Sequence, residues 1–523
     1  MRPYHCAAGC ANGLDGDGRA VFSINWAGLF EEHWEKWLMA KELARKRAGF
    51  TILALLLANV ALLRSADVFA GESGEKTCFL DGWSQPLHCY QVPVGAGEQP
   101  AELAVAVAPA VNPDGSEPLY LLAGGPGQAA SDLVPLLPSF NRINRNRDIV
   151  MVDRRGAGRS GAFDCGLEEE LPADLDAFAM HLSGCFQEQR ARTEDLYSRR
   201  TVDDLEEVRT HLGHEKIVLW GGSWGTRTAL LYQQWYPESL SALVLDGVAP
   251  IETKVFLSAR AAEQALQQLQ DACREDPSCA GFGDWRKDLD RLLAEWGSGD
   301  ARLADPLTGA AIGRRVPRWE VANAVRTALY DPGVAAQLPY VIHQAARGNL
   351  LPLSGLSSLF LPASDTMSMG LTFSVACAEE LNRISAEEVA ADSRETFLGS
   401  GFYDLFEAGC RVWPVAERSY PTPEPRDHPV LLISGSADPI TPPDYADTRL
   451  DYLTHKQHLV VAGGGHINSA RGCIPDLIAE FLDTPDEPLD TQCVGEIRRP
   501  PFMADAFGPA LDAAPQKNSG GEG

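Results

Sequence analysis

The feature that most constrains this chain is an alternation of apolar runs and amphipathic stretches that breaks off midway and then resumes. Leu87 to Val94 and Leu103 to Ala108 are predicted as early strands. Pro118 to Leu122 runs into Ala123-Gly124-Gly125-Pro126-Gly127, and Asp148 to Val152 runs into Asp153. Thr201 to Leu212 has helical spacing, with Leu205, Val208 and Leu212 on one face. Lys216 to Trp220 reads as a buried strand ending at Gly221, Thr226 to Trp235 as a helix, and Leu240 to Leu245 as a strand. Such alternation implies a mostly parallel sheet with helices on both faces.

From about Ile251 to Asp427 the pattern turns helical, and strand runs return at His428 to Ser434 and His458 to Ala462. With 523 residues, more than one compact core usually holds, an insertion is expected. The predicted architecture is an α/β core, residues 71–250 and 428–497. A helical cap at 251–427 interrupts it between the sixth and seventh strands. A disordered tail rich in Ala, Pro and Gly is expected over 498–523.

Residues Lys41 to Arg47 are basic, Ala48 to Leu63 almost wholly apolar, and Val68-Phe69-Ala70 offers small residues for cleavage, the order of a secretory signal peptide. An uncleaved membrane anchor is the competing reading, although the apolar run is short for a bilayer span. Met39 stands just before the basic stretch. The expectation is therefore that 1–38 lies outside the translated protein, 39–70 is the signal peptide, and the mature chain starts near Gly71. It would be exported, to the periplasm or beyond the cell, with no stable membrane insertion after cleavage.

Ten of the twelve cysteines follow Ala70, in neighbouring couples: Cys78 and Cys89, Cys165 and Cys185, Cys273 and Cys279, Cys377 and Cys410, Cys473 and Cys493. An even count in an exported chain suggests disulfides, paired sequentially in the simplest connectivity, which sequence alone does not fix. No C-x-x-C pair or H-E-x-x-H occurs, so no metal site is expected. The net charge of -27 argues against a nucleic-acid partner.

Gly221-Gly222-Ser223-Trp224-Gly225 fits G-x-S-x-G between a strand and a helix, a turn that lifts a serine hydroxyl above the sheet. A serine nucleophile needs a base, and the base an orienting acid. Two later strand ends supply them, Asp438 after Gly435-Ser436-Ala437 and His466 after Gly463-Gly464-Gly465. Asp444, Asp447, His455 and His458 compete, but fall before the loops or beyond them. The backbone amide of Trp224 and that of Gly124 or Gly125 are the expected oxyanion donors. Gly156-Ala157-Gly158-Arg159-Ser160-Gly161 matches G-x-G-x-x-G, but no clear helix opens at it, which speaks against a nucleotide.

Together these residues resemble the proline iminopeptidase and tripeptidyl aminopeptidase family of α/β-hydrolases. Gly124-Gly125-Pro126-Gly127 is similar to the family's His-Gly-Gly-Pro-Gly turn. Asp153-Arg154-Arg155-Gly156-Ala157-Gly158-Arg159-Ser160 is similar to its Asp-Gln-Arg-Gly-x-Gly-x-Ser loop, and Gly221 to Thr226 to its elbow. Ala123 replaces the family's histidine and Arg154 its glutamine. The cysteine couples and Asp438-Pro439-Ile440-Thr441-Pro442 resemble the secreted tripeptidyl branch.

The resemblance implies the α/β-hydrolase fold and a serine exopeptidase without metal or organic cofactor. Its partner would be a short peptide whose free amine is held by acidic cap residues, for which Glu379, and beside it Glu380, are the candidates. Two other readings stay open: an esterase on the same machinery, and a binding protein that has lost catalysis.

Overall fold

The structure is a computed structural model. It describes residues 13–14, 20–21, 75–95, 100–166, 174–296, 303–306, 308–310, 316–358 and 367–510. The chain divides into two units, Met1–Gly74 and Glu75–Gly523. In the first, Gly13–Leu14 pairs antiparallel with Ala20–Val21. The signal peptide expected over 39–70, and the rest of the expected upstream extension, lie outside the described residues.

The second unit is built on a nine-stranded sheet. Its strands are β1 (Lys76–Cys78), β2 (Leu87–Val94), β3 (Ala101–Ala108), β4 (Leu119–Leu122), β5 (Ile149–Val152), β6 (Ile217–Gly222), β7 (Leu240–Asp246), β8 (Val430–Gly435) and β9 (Lys456–Val461). Their spatial order is β9-β8-β7-β6-β4-β5-β3-β2-β1. Pairing is parallel from β9 to β5 and antiparallel from β5 to β1. Every residue of β4, β5, β6 and β8 is buried, as parallel strands covered on both faces require.

Alternate side chains serve the two faces. Leu119, Leu121, Val218, Trp220, Val244 and Ile433 pack with Ile474, Ile478 and Phe481 of the helix Ile474–Asp483. On the other face Tyr120, Leu219, Leu243 and Leu432 pack with two helices that the sequence had indicated. Ser198–His211 contributes Leu205 and Val208, and Trp224–Trp235 contributes Leu230 and Leu231.

The insertion is helical, as expected. Ala259–Glu275, Trp285–Glu295, Arg318–Ala328 and Leu338–Ala346 bury a core of their own. A separate aromatic cluster joins cap to sheet: Phe373, Phe406 and Trp413 meet Trp224, Phe163, Phe178 and Phe186. The last two lie on Leu175–Gln189, so part of the segment assigned to the first half of the core packs with the cap.

Two boundaries differ from expectation. The short strand β1 carries no periodicity to read, and it makes the insertion fall between the seventh and eighth strands. The expected tail does not start at 498: Phe502 is buried in the cap core and the Met503 amide donates to Ala336 O (3.1 Å). Met503–Asp505 then pairs with Gly508–Pro509. Apolar Phe502 among prolines is what a compositional reading passes over. Residues 511–523 lie outside the described residues.

The five neighbouring cysteine couples form disulfides: Cys78–Cys89, Cys165–Cys185, Cys273–Cys279, Cys377–Cys410 and Cys473–Cys493. No helix among the described residues is long and apolar enough to cross a membrane.

Candidate active site

Ser223 follows β6 at φ 57°, ψ −123°, a backbone conformation that costs a residue with a side chain on the order of 1–3 kcal/mol. Its neighbours must be glycines. A Cβ on Gly225 would sit 2.1 Å from Leu122 O, and one on Gly221 would sit 2.6 Å from the Gly225 carbonyl. The helix begins at once with Trp224, whose amide has no intrahelical acceptor. Sharp turn, raised serine and free amide arise from one strand–helix junction.

The glycine turn after β4 lies against this serine. A Cβ on Gly124 would be 3.1 Å from Ser223 Cβ, and Gly125 has φ 107°. The Gly124 amide donates to Gln128 Oε1 (3.3 Å), whereas the Gly125 amide has no acceptor among the described residues. The two departures from the family pattern meet here: the Arg154 guanidinium donates to Ala123 O (2.5 Å). Burial pulls the Arg154 guanidinium down to about 10. The glycine-rich stretch after Asp153 wraps that carboxylate, which accepts from the amides of Ser131 (2.8 Å) and Arg159 (2.9 Å). It is a structural turn.

Asp438 and His466 stand at the carboxyl ends of β8 and β9, both buried. His466 Nδ1 lies 2.9 Å from Asp438 Oδ2, which makes Nδ1 the donor of the pair and leaves Nε2 as the basic nitrogen. Asp438 Oδ1 accepts from the amides of Ile440 and Thr441 (both 2.9 Å), and Oδ2 from Thr441 Oγ1 (2.8 Å). The carboxylate is thus aimed before any substrate arrives. His466 Nε2 is buried and makes no hydrogen bond to Ser223 or to any other group among the described residues. Such bonds often tighten only when substrate binds.

Three residues around Ser223, Asp438 and His466 were not singled out from sequence. Thr441 was legible in principle, as a hydroxyl three residues after an aspartate at a turn. Tyr330 belongs to the cap: its carbonyl accepts from the His466 amide (2.9 Å) and its ring packs edge-on against the imidazole, 4.8 Å between centroids. Asp246, at the end of β7, accepts the Ser223 amide on its main-chain oxygen (2.9 Å).

The expectation for Glu379 and Glu380 needs correction. Both carboxylates are buried and already engaged. Glu379 accepts from the Ser198 amide (2.7 Å), the Ser198 hydroxyl (2.5 Å) and Tyr420 Oη (3.2 Å). It therefore caps the start of the helix Ser198–His211, where a carboxylate opposes the helix dipole. Burial still pushes its carboxyl above the usual range. Glu380 Oε1 takes Arg227 Nη1 (2.7 Å) and Arg383, and its Oε2 has no partner among the described residues and no exposure either. Neither side chain is open to an arriving ammonium. They tie the cap to the core.

Residues 117–278 match a family model described as the alpha/beta hydrolase fold, and residues 395–493 match one described as TAP-like protein. The proline iminopeptidase of Neisseria gonorrhoeae is 36% identical over 137 residues, 26% of this chain and 34% of that protein. The one from Arabidopsis thaliana is 34% identical over 144 residues, 27% and 29%. The chain thus spans about a third of the length of the curated relatives it matches. Among solved structures, the proline iminopeptidase of Mycobacterium smegmatis is 18% identical. It aligns over 76% of this chain and 98% of that one, at a TM-score of 0.35, a likeness that carries no argument. The two family models and the sequence relatives, each matching part of the chain, support the proline iminopeptidase and tripeptidyl aminopeptidase family of α/β-hydrolases.

Proposed function

We propose that this chain is an exported serine aminopeptidase that releases N-terminal residues, proline-type or tripeptides, from short peptides. The observation that carries the serine chemistry is the buried Asp438–His466 pair, set at strand ends beside a serine held at φ 57°. Ser223 Oγ attacks the scissile carbonyl and passes its proton to His466 Nε2. The amides of Trp224 and Gly125 face the oxyanion, Gly124 being bonded to Gln128. His466 then protonates the leaving amine, and water releases the acyl-enzyme by the same route. Aminopeptidase activity is supported by the names of the sequence relatives. Export is supported by the five disulfides and the apolar run after Met39.

One observation favours a second reading. With Glu379 engaged at Ser198, the expected amine anchor is lost, and an esterase needs none.

The test is hydrolysis of free-amine prolyl, alanyl and tripeptidyl amides, their N-acetylated counterparts and short-chain esters. Cleavage of free-amine amides, lost on acetylation and in Ser223→Ala, is the expected result. Turnover of esters alone would replace the peptidase reading with the esterase one, and inertness towards both would leave a binding protein.

A further inference from the structure

Asp246 ends β7 between the loops that carry Ser223 and His466. Its main-chain oxygen accepts the Ser223 amide (2.9 Å). Its carboxylate is fully buried, and Oδ2 accepts from the amides of Asn468 (2.8 Å) and Ser469 (2.6 Å) and from Ser469 Oγ (2.7 Å). Trp220 Nε1 in turn donates to Ser469 Oγ (2.9 Å). The next residue, Gly247, lies against the base: a Cβ there would be 2.6 Å from His466 O and 3.2 Å from His466 Nδ1. One residue thus holds the serine by its backbone and the histidine loop by its side chain.

Among the described residues the charge on that side chain has no counter-ion. No basic group among the described residues pairs with it, and Oδ1 is buried without a partner. Around it, β6 places Gly222 and Trp220, β8 places Ile433, and the loop after β9 places Asn468, Ser469 and His466. Of these only His466 can carry a charge that acts on it, and only once it has taken up a proton. Buried carboxylates are ordinarily paired with a cation, because removing one from water is costly.

We propose that Asp246 is a positioning residue that registers Ser223 against the His466 loop, and that its negative charge stabilises the imidazolium His466 becomes when it takes the Ser223 proton. The inference rests on Ser223 and His466 being nucleophile and base. In a site closed to water a second carboxylate acts on that developing charge through space, in addition to the Asp438 hydrogen bond. The geometry also says where a proton would go. Oδ1 is the unbonded oxygen, so protonation there cancels the charge and leaves all three bonds at Oδ2 intact. Burial pushes this carboxyl up to about 6, against donors that hold it down, so the charge is present above that pH and lost below it. Asp246→Asn keeps an oxygen for the three donors and removes the charge at every pH.

The test is the rate at which a fluorophosphonate inactivates the full chain, measured across pH for wild type, Asp246→Asn and Ser469→Ala. The probe needs the nucleophile and base but no peptide recognition. The expected wild-type to Asp246→Asn ratio is about tenfold near pH 8, one pK unit's worth of coupling, falling towards one below about pH 5. A ratio that is constant with pH would mean a structural role only, and a ratio of one throughout would mean no role; either overturns the proposal. Ser469→Ala removes a donor to the charged form, so its activity should fall at higher pH than wild type. An unmoved midpoint overturns the proposal even if Asp246→Asn fails to fold. No labelling of wild type at all would instead sink the hydrolase reading, and this inference with it.

Discussion

Asp246 and Arg154 show how single side chains set this site while remaining costly to the fold. Asp246 holds more protons folded than unfolded, because burial raises its carboxyl from 3.8 to about 6. Stability should therefore fall as pH rises through that interval, by about 3 kcal/mol over two pK units. Asp246→Asn lacks this dependence. Melting both proteins from about pH 4 to pH 7.5 should show wild type losing ground steadily to the variant, and parallel curves would mean the carboxyl is not raised. What was legible at this scale were residues at the ends of apolar runs: Ser223, Asp438 and His466 each follow one through small residues. Asp246 also ends such a run, but nothing local marks it, because its partners Asn468 and Ser469 come more than two hundred residues later. The meeting of Arg154 with Ala123 was equally invisible: each departure could be seen, but not that one answers the other.

Helices and strands were legible wherever packing obeys a simple period. The central strands read as continuous apolar runs because both faces are covered, and the helix Ser198–His211 before β6 turns Val202, Leu205 and Val208 to the sheet on one apolar face. The wiring between cap and core was not legible, because it is polar. Glu379 and Glu380 read as open carboxylates, since charged residues are rarely buried unless paired, and their partners Ser198 and Arg227 lie far off in sequence. The Arg227–Glu380 pair has no exposure on either side. Replacing Glu380 with Leu should therefore cost about 3–5 kcal/mol, because it leaves the Arg227 guanidinium buried and uncompensated. Adding Arg227→Met should recover part of that loss. Denaturant titration of the two single variants and the double variant would measure the coupling. If the two single losses simply sum to that of the double variant, the pair is not the latch between cap and core.

At the scale of the whole molecule, the cap is an insertion that the chain leaves and later rejoins. All five disulfides close short loops, the widest joining Cys377 to Cys410, and none runs between the cap insertion and the sheet. The two are held by uncharged and charged contacts alone: the aromatic cluster around Trp413, the Glu379 and Glu380 anchors, and the Tyr330 carbonyl on the His466 amide. The chain adds one more tie. After its last core helix it returns to the cap, where Phe502 fills a gap among the cap helices and Met503 bonds to Ala336. The cap core is therefore closed by a residue that follows the sheet in sequence, so neither part is complete without the other. Phe502→Ala should cost about 3–5 kcal/mol, as for other buried aromatic residues. Because the Tyr330 segment of the cap positions His466, activity should fall together with stability as the variant is warmed. Unfolding followed by tryptophan fluorescence, alongside residual fluorophosphonate labelling, would check this. Coincident transitions are expected. Labelling that outlasts the fluorescence change would mean the sheet keeps Ser223 reactive without the cap, and that Tyr330 is dispensable for holding His466.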